Sequence, residues 1–280
     1  MKTILCAVDF STSAIFALKY AAELCKKTNT SLFVINIYNY STFAASIKEP
    51  NFLTDKEITA KKTAELELFC KQHLLQDFEK TNCKIKAIEG VSVVDQINKK
   101  AQLLNAFLII VGMKGINKFK DFFIGTTTKK LIEKAICPVL AIPNEFEEYN
   151  FKTFVYATDF EKEDIFAIKE LAQLAEKLNS TIKVVHIANE NNNKAFDEME
   201  WFKELVNQKV TYKKLKFKLL FSDDILNTLH EYIEENNAHI IAMLERKKVG
   251  FLNDFLHGDL VKKFESYINI PLLSFREENY

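Results

Sequence analysis

The hydrophobic pattern along the chain alternates between two periods. Short, nearly continuous apolar runs at about 2–8, 31–38, 83–89, 107–111 and 138–142 predict strands. Leu108-Ile109-Ile110-Val111 is apolar without a break, as a strand buried on both faces should be. Between these runs the apolar positions fall at helical spacing. Ala14, Ala17, Leu18, Ala21 and Cys25 form one face of a first helix, which Ser11 or Ser13 can cap. A second helix is predicted near 55–78, after a loop containing Ser41–Pro50, and a third over about 92–104 with Val93, Val94, Ile97 and Ala101 on one face. A last helix covers Thr126–Ala135, and Pro138 follows its end. Strands alternating with helices through short links imply a parallel sheet covered on both faces.

The whole pattern occurs twice. Ile4–Asn29 aligns with Phe154–Asn179 at a shift of 150 without a gap. Ala7-Val8-Asp9-Phe10 meets Ala157-Thr158-Asp159-Phe160, and Val34-Ile35-Asn36-Ile37 meets Val184-Val185-His186-Ile187. Asn105–Ile109 pairs with Asn237–Ile241, and Gly125 with Gly258, each thirteen residues before a proline, Pro138 or Pro271. The chain therefore reads as two copies of one α/β domain, residues 1–146 and 147–280. Each is expected to be an open, parallel, five-stranded sheet with helices on both faces. The junction falls in the acidic stretch Asn144–Asn150, and 194–207 takes the place of helix 55–78 in the second copy.

Composition narrows the classes. Of 280 residues 48% are hydrophobic and 27% charged, and 38 Lys+Arg balance 38 Asp+Glu. A net charge of zero leaves no electrostatic footprint for nucleic acid or an anionic membrane. Lys213, Lys214, Lys216 and Lys218 read as a solvated strand face. No apolar run approaches the ~20 residues of a spanning helix, and no secretory segment follows Met1. The five cysteines (Cys6, Cys25, Cys70, Cys83 and Cys137) are odd in number and scattered, as expected of reduced, buried thiols in a cytoplasmic protein. The five histidines have no ligand spacing, so no metal site is expected. Trp201 reads as a core or interface anchor.

The chemical signal follows the fourth strand: Gly112-Met113-Lys114-Gly115, nine residues, then Gly125-Thr126-Thr127. Gly112 and Gly115 remove side chains where a backbone must pass close to a phosphate chain. Gly125 does the same at a helix start, where free N–H groups and the helix dipole favour an anion. Thr126 and Thr127 add hydroxyl donors. Lys114 reads equally as a point cation for phosphate or as a solvated loop lysine. The spacing matches neither a P-loop nor a dinucleotide fingerprint.

This arrangement resembles the universal stress protein family, whose ATP-binding members carry Gly-x2-Gly-x9-Gly-(Ser/Thr) between strand four and helix four. Residues 112–126 reproduce that spacing, Asp9 matches the family's strand-one Asp, and Cys137-Pro138-Val139-Leu140 looks like its fifth strand. The resemblance implies an adenine-nucleotide alpha-hydrolase-like, Rossmann-like fold. It implies ATP as ligand, with AMP or ADP as alternatives and Mg²⁺ as companion ion. Ala7 and Asp9 would then line the site, with Asp9 near the ribose and Ile37 against the adenine. Gly112, Lys114, Gly115, Gly125, Thr126 and Thr127 would surround the ribose and phosphates. It also implies pairing through the fifth strands, here Val139–Ile142 with Leu272–Phe275 within the chain, and a homodimer beyond that.

The second copy fails at the decisive positions. Leu244 and Lys247 stand for Gly112 and Gly115, and Asp259 for Thr126. The expected function is a regulatory, nucleotide-binding stress protein whose first domain holds the nucleotide. A slow ATPase and a non-nucleotide interaction module are the alternatives. An enzyme is the weaker reading, because no general base adjoins the loop and the two arginines, Arg246 and Arg276, lie in the second half.

Overall fold

The computed structural model describes residues 2–40, 54–115, 122–123, 125–245 and 269–280, and of 114, 115, 122 and 123 the backbone alone. These fall into two compact units. The first comprises Met1–Lys114 and Gly125–Glu147, and the second Glu148–Tyr280 with Gly115–Ile124.

In the first unit the chain runs β1 (Thr3–Ala7), α1 (Thr12–Thr28), β2 (Ser31–Tyr38), α2 (Asp55–Leu74), α3 (Asp77–Lys80), β3 (Lys84–Glu89), α4 (Val93–Leu104) and β4 (Ala106–Gly112). Next in the chain, two-residue strands β5 (Lys114–Gly115) and β6 (Phe122–Phe123) pair with each other, Gly115 and β6 being counted with the second unit; α5 (Thr126–Lys134) and β7 (Val139–Ile142) of the first unit follow. The sheet order is β7-β4-β1-β2-β3, parallel throughout. The predicted helix 55–78 is broken in two: Leu75 has φ 50 and ψ −124, and α3 starts afresh after it. Leu75 is exposed, so no burial of its side chain holds a longer helix together there.

The second unit has β8 (Thr153–Ala157), α6 (Lys162–Leu178), β9 (Thr181–Ala188), α7 (Ala195–Lys209), β10 (Leu215–Phe221), α8 (Ile225–Glu235), β11 (Ile240–Glu245) and β12 (Leu272–Arg276). Its order, β10-β9-β8-β11-β12, repeats the topology of the first and is also parallel. The segment expected at 194–207 is α7. Trp201 on it is about half exposed, so it is no core anchor.

Both cores are built as the apolar runs predict. Ile4, Leu5 and Cys6 on β1 and Phe154, Val155 and Tyr156 on β8 are fully buried, as are Ala17, Leu18 and Ala21 on the inner face of α1. Cys6, Cys25 and Cys70 are buried, while Cys83 and Cys137 are only partly so, which corrects the expectation that all five are buried. Burial pushes the Cys25 thiol up to about 11 and Cys83 up to about 12, and also raises Cys6 and Cys70. These thiols therefore stay protonated and are poor nucleophiles. At the turn from first strand to first helix each unit holds a phenylalanine in the left-handed region, Phe10 and Phe160, both with φ 62. A bulky residue pays for that conformation, so the turn demands it.

Candidate functional site

From β1 the chain moves to β2 and β3 on one side, then crosses over to β4 on the other. The carboxyl ends of β1 and β4 thus flank the point where strand order reverses, and in open α/β sheets ligands bind in the crevice there. Ala7 ends β1 opposite Ile35, and Val8 extends the ladder by one bond, its N–H donating to the Ile35 carbonyl at 2.9 Å. Asp9 and Ile37 follow at the same edge of the sheet, Asp9 exposed and Ile37, paired with Ile88, half-buried. Gly112 ends β4 beside them, opposite Ile142. The structure therefore brings Ala7, Asp9, Ile37 and Gly112 to one edge.

Asp9 also builds the turn. One carboxylate oxygen accepts from the Ser11 N–H at 3.1 Å and from the Ser11 hydroxyl. Ser11 in turn caps α1 by accepting from the Ala14 N–H at 3.3 Å, and lies 3.0 Å from the Ser13 hydroxyl. Of the two serines predicted to cap, Ser11 does so.

Gly112 has a reason the sequence did not show. A Cβ there would lie 2.6 Å from the carbonyl carbon and oxygen of Ser13. The absent side chain lets the first turn of α1 come down onto the end of β4. The Gly112 carbonyl accepts from the buried Thr128 hydroxyl at 3.2 Å, tying the strand end to the first turn of α5. Gly125 is the N-cap of α5, with φ −57 and ψ 154 and no side-chain cap. Its carbonyl takes the Lys129 N–H at 2.9 Å. Among the described residues no side chain caps the leading N–H groups of α5, while Thr126 and Thr127 are exposed beside them. That arrangement fits an anion. The backbones of Lys114 and Gly115 form β5; the side chain of Lys114 lies outside what is described. Thr128 and Asn36 are site residues that sequence reasoning missed. Asn36 is buried, and its amide donates to the Val8 carbonyl at 2.8 Å, fixing the strand end just before Asp9.

The second unit shows the same place rebuilt. Strand register equates the two copies directly: Ile4 faces Leu108 and Phe154 faces Ile240, which carries Gly112 onto Leu244. Leu244 is buried. Its companions Lys247, Gly258 and Asp259, with Arg246, lie outside the described residues. His186 does the work of Asn36, with Nδ1 2.7 Å from the Thr158 carbonyl. A carbonyl can only accept, so Nδ1 carries the hydrogen. Burial lowers the His186 pKa, against the opposing pull of the Thr158 carbonyl, Glu198 and Asp164, and the ring is neutral. Phe160 packs on it at 4.2 Å between centroids and on Phe202 at 5.2 Å.

Parallel strands ordered to both sides of a first central strand, with crossover helices between them, define the class of doubly wound α/β domains. The sequence profile of the Universal stress protein family matches residues 1–143, just over half of the 280. The chain belongs to that family. It is 26% identical over 164 residues to a Staphylococcus haemolyticus (strain JCSC1435) protein assigned to the universal stress proteins, covering 58% of this chain and 96% of the relative. A Staphylococcus aureus (strain USA300) protein with the same assignment is 27% identical over 166 residues, covering 56% and 93%. Among solved structures, a universal stress protein from Archaeoglobus fulgidus DSM 4304 superposes with a TM-score of 0.70 at 17% identity, covering 98% of each chain. One from Pseudomonas aeruginosa UCBPP-PA14 gives 0.65 at 16%, covering 100% of this chain and 95% of that one. At such identities these two establish the fold alone. Among the described residues no helix is long and apolar enough to cross a membrane.

Proposed function

We propose that the first domain, residues 1–146, binds an adenine nucleotide and that the chain is a regulatory, ATP-binding stress protein rather than an enzyme. The observation that carries this is the placement of the loop. The Gly112–Gly115–Gly125–Thr126 spacing begins at the sheet's switch point and ends on a helix start that has no side-chain cap. Asp9 faces the ribose, Ile37 the adenine, and Ala7 lines the cleft between them. Gly115, Gly125, Thr126 and Thr127 take the phosphates, with Lys114 as a cation beside them. ATP is the favoured ligand, with AMP or ADP as alternatives. Among the described residues no cluster of three or more His, Cys, Asp or Glu can hold a metal, so Mg²⁺ would enter on the phosphates.

Residues 1–146 and 147–280 are two domains of one duplicated origin, and the protein is cytoplasmic. The end strands β7 and β12 have buried side chains and no charge within Val139–Ile142 or Leu272–Phe275. Such edges call for cover, and pairing of these two strands within the chain is the arrangement proposed, with a homodimer as a further step.

Calorimetry with ATP and Mg²⁺ on the wild type and on Gly115→Leu tests the site. Loss of at least about tenfold in affinity is expected in the variant, with an unchanged unfolding midpoint. Equal binding by both would defeat the assignment. Gly112 is unsuitable for this test, because a side chain there disturbs α1 directly.

A further inference from the structure

The first turn of α6 contains a buried carboxylate. Asp164 is 1% exposed. One of its oxygens accepts from the Tyr156 hydroxyl at 2.7 Å. The other accepts from the Thr158 hydroxyl at 2.7 Å and from the Glu161 N–H at 3.2 Å. Thr158 is itself held, since its hydroxyl oxygen accepts from the Phe160 N–H at 2.9 Å. The donors thus come from a strand, from the strand's exit and from the helix start. A carboxylate taken out of water needs such an array.

The same place in the first unit has none of this. At the shift of 150, Tyr156, Thr158 and Asp164 correspond to Cys6, Val8 and Ala14, three residues without an oxygen in the side chain. There the gap is closed by approach, with Ser13 lying against the bare Gly112. In the second unit Leu244 stands at the Gly112 position, and Glu163 at the Ser13 position. A Cβ alone collides in the first unit's geometry, so a leucine is compatible only with a helix start that lies farther out. A helix start that stood off would leave room beneath it, and Asp164 with its donors occupies the space between that helix start and β8. Gly→Leu, Val→Thr, Cys→Tyr and Ala→Asp are therefore one coupled change.

We propose that Asp164 is a built-in ligand. The second unit carries an anion site under the first turn of α6, formed by the Tyr156 and Thr158 hydroxyls and the Glu161 N–H. The chain fills that site with its own carboxylate and so withholds it from any outside anion. The site lies at the carboxyl end of β8, beside the second unit's switch point. This does not depend on the first unit binding a nucleotide.

The test is chemical rescue in the full chain. Asp164→Ala restores the residue that the first unit carries at this turn. Its unfolding midpoint is expected to fall by roughly 5–10 °C in sodium chloride. Sodium formate at equal concentration should restore more than half of that loss, because formate replaces the missing carboxylate and binds only the folded form. The wild type should shift no more in formate than in chloride. Tyr156→Phe, which keeps the carboxylate, should lose less and show no formate response. Loss without recovery in formate, no loss at all, failure to fold in either salt, or a formate response in Tyr156→Phe would each overturn the proposal.

Discussion

Single residues carry more than one duty at the sheet edge. Gly112 reads in the sequence as part of a phosphate loop, yet its neighbour in the structure is Ser13. Gly112→Ala should therefore destabilise the first unit without any nucleotide present, by about 1–3 kcal/mol for an overpacked site. A lowered urea midpoint in nucleotide-free buffer checks this. His186 offers a second case. Its folded pKa lies below the ordinary value, so the unfolded chain takes up the proton first as pH falls. Stability then declines as pH drops from about 6.5 toward the folded value. His186→Asn copies the first unit's Asn36 and keeps a donor for the Thr158 carbonyl. Urea midpoints between about pH 7.5 and pH 5 should fall less steeply in this variant. A residual slope is expected from His73, which burial and Lys19 also depress. Neither duty was legible beforehand. A glycine's neighbour across the fold, or a shared job for Asn36 and His186, needs two strand ends placed side by side.

At the level of elements most of the fold was written in the sequence. Unbroken apolar runs marked the buried strands, and the repeat laid out the same succession of elements twice, while the order of strands in the sheet came from the structure. The break at Leu75 was not visible, because Leu75 belongs to the same helical spacing as its neighbours and only its backbone departs. The end strands show how charge reports position. On β10 Lys216 and Lys218 are exposed, alternating with more buried residues, and β3 does the same with Lys84 and Lys86. Lysines on an end strand oppose pairing with another chain. Lys216→Val with Lys218→Val should leave the fold intact and raise light scattering on concentration, since the edge is then apolar and unguarded. A variant as soluble as the wild type would show that the lysines have no such role.

For the whole molecule, the two halves share a topology but not a site. Leu244, Asp164 and His186 stand where the first unit has Gly112, Ala14 and Asn36, so the same edge is packed with different side chains in the two units. On the proposed function, nucleotide binding should saturate at one per chain. Calorimetric stoichiometry checks this, and a value of two would contradict a silent second unit. The glycine loop was legible because its spacing is local in sequence. The plug at Asp164 was not, because its partners Tyr156 and Thr158 look like ordinary strand residues until the helix is laid over them.

The two phenylalanines at φ 62 can be weighed in the same light. The two units act as a control experiment on this turn: Gly112 ends the neighbouring strand in one, Leu244 stands at that place in the other, and both keep the left-handed Phe. Phe10 is partly exposed beside Phe69, whereas Phe160 is buried against His186 and Phe202. What the side chain touches has changed, and the backbone has not. The cost of that conformation is thus borne by the Asp-Phe hinge between strand and helix, whichever ligand, external or internal, the hinge comes to serve.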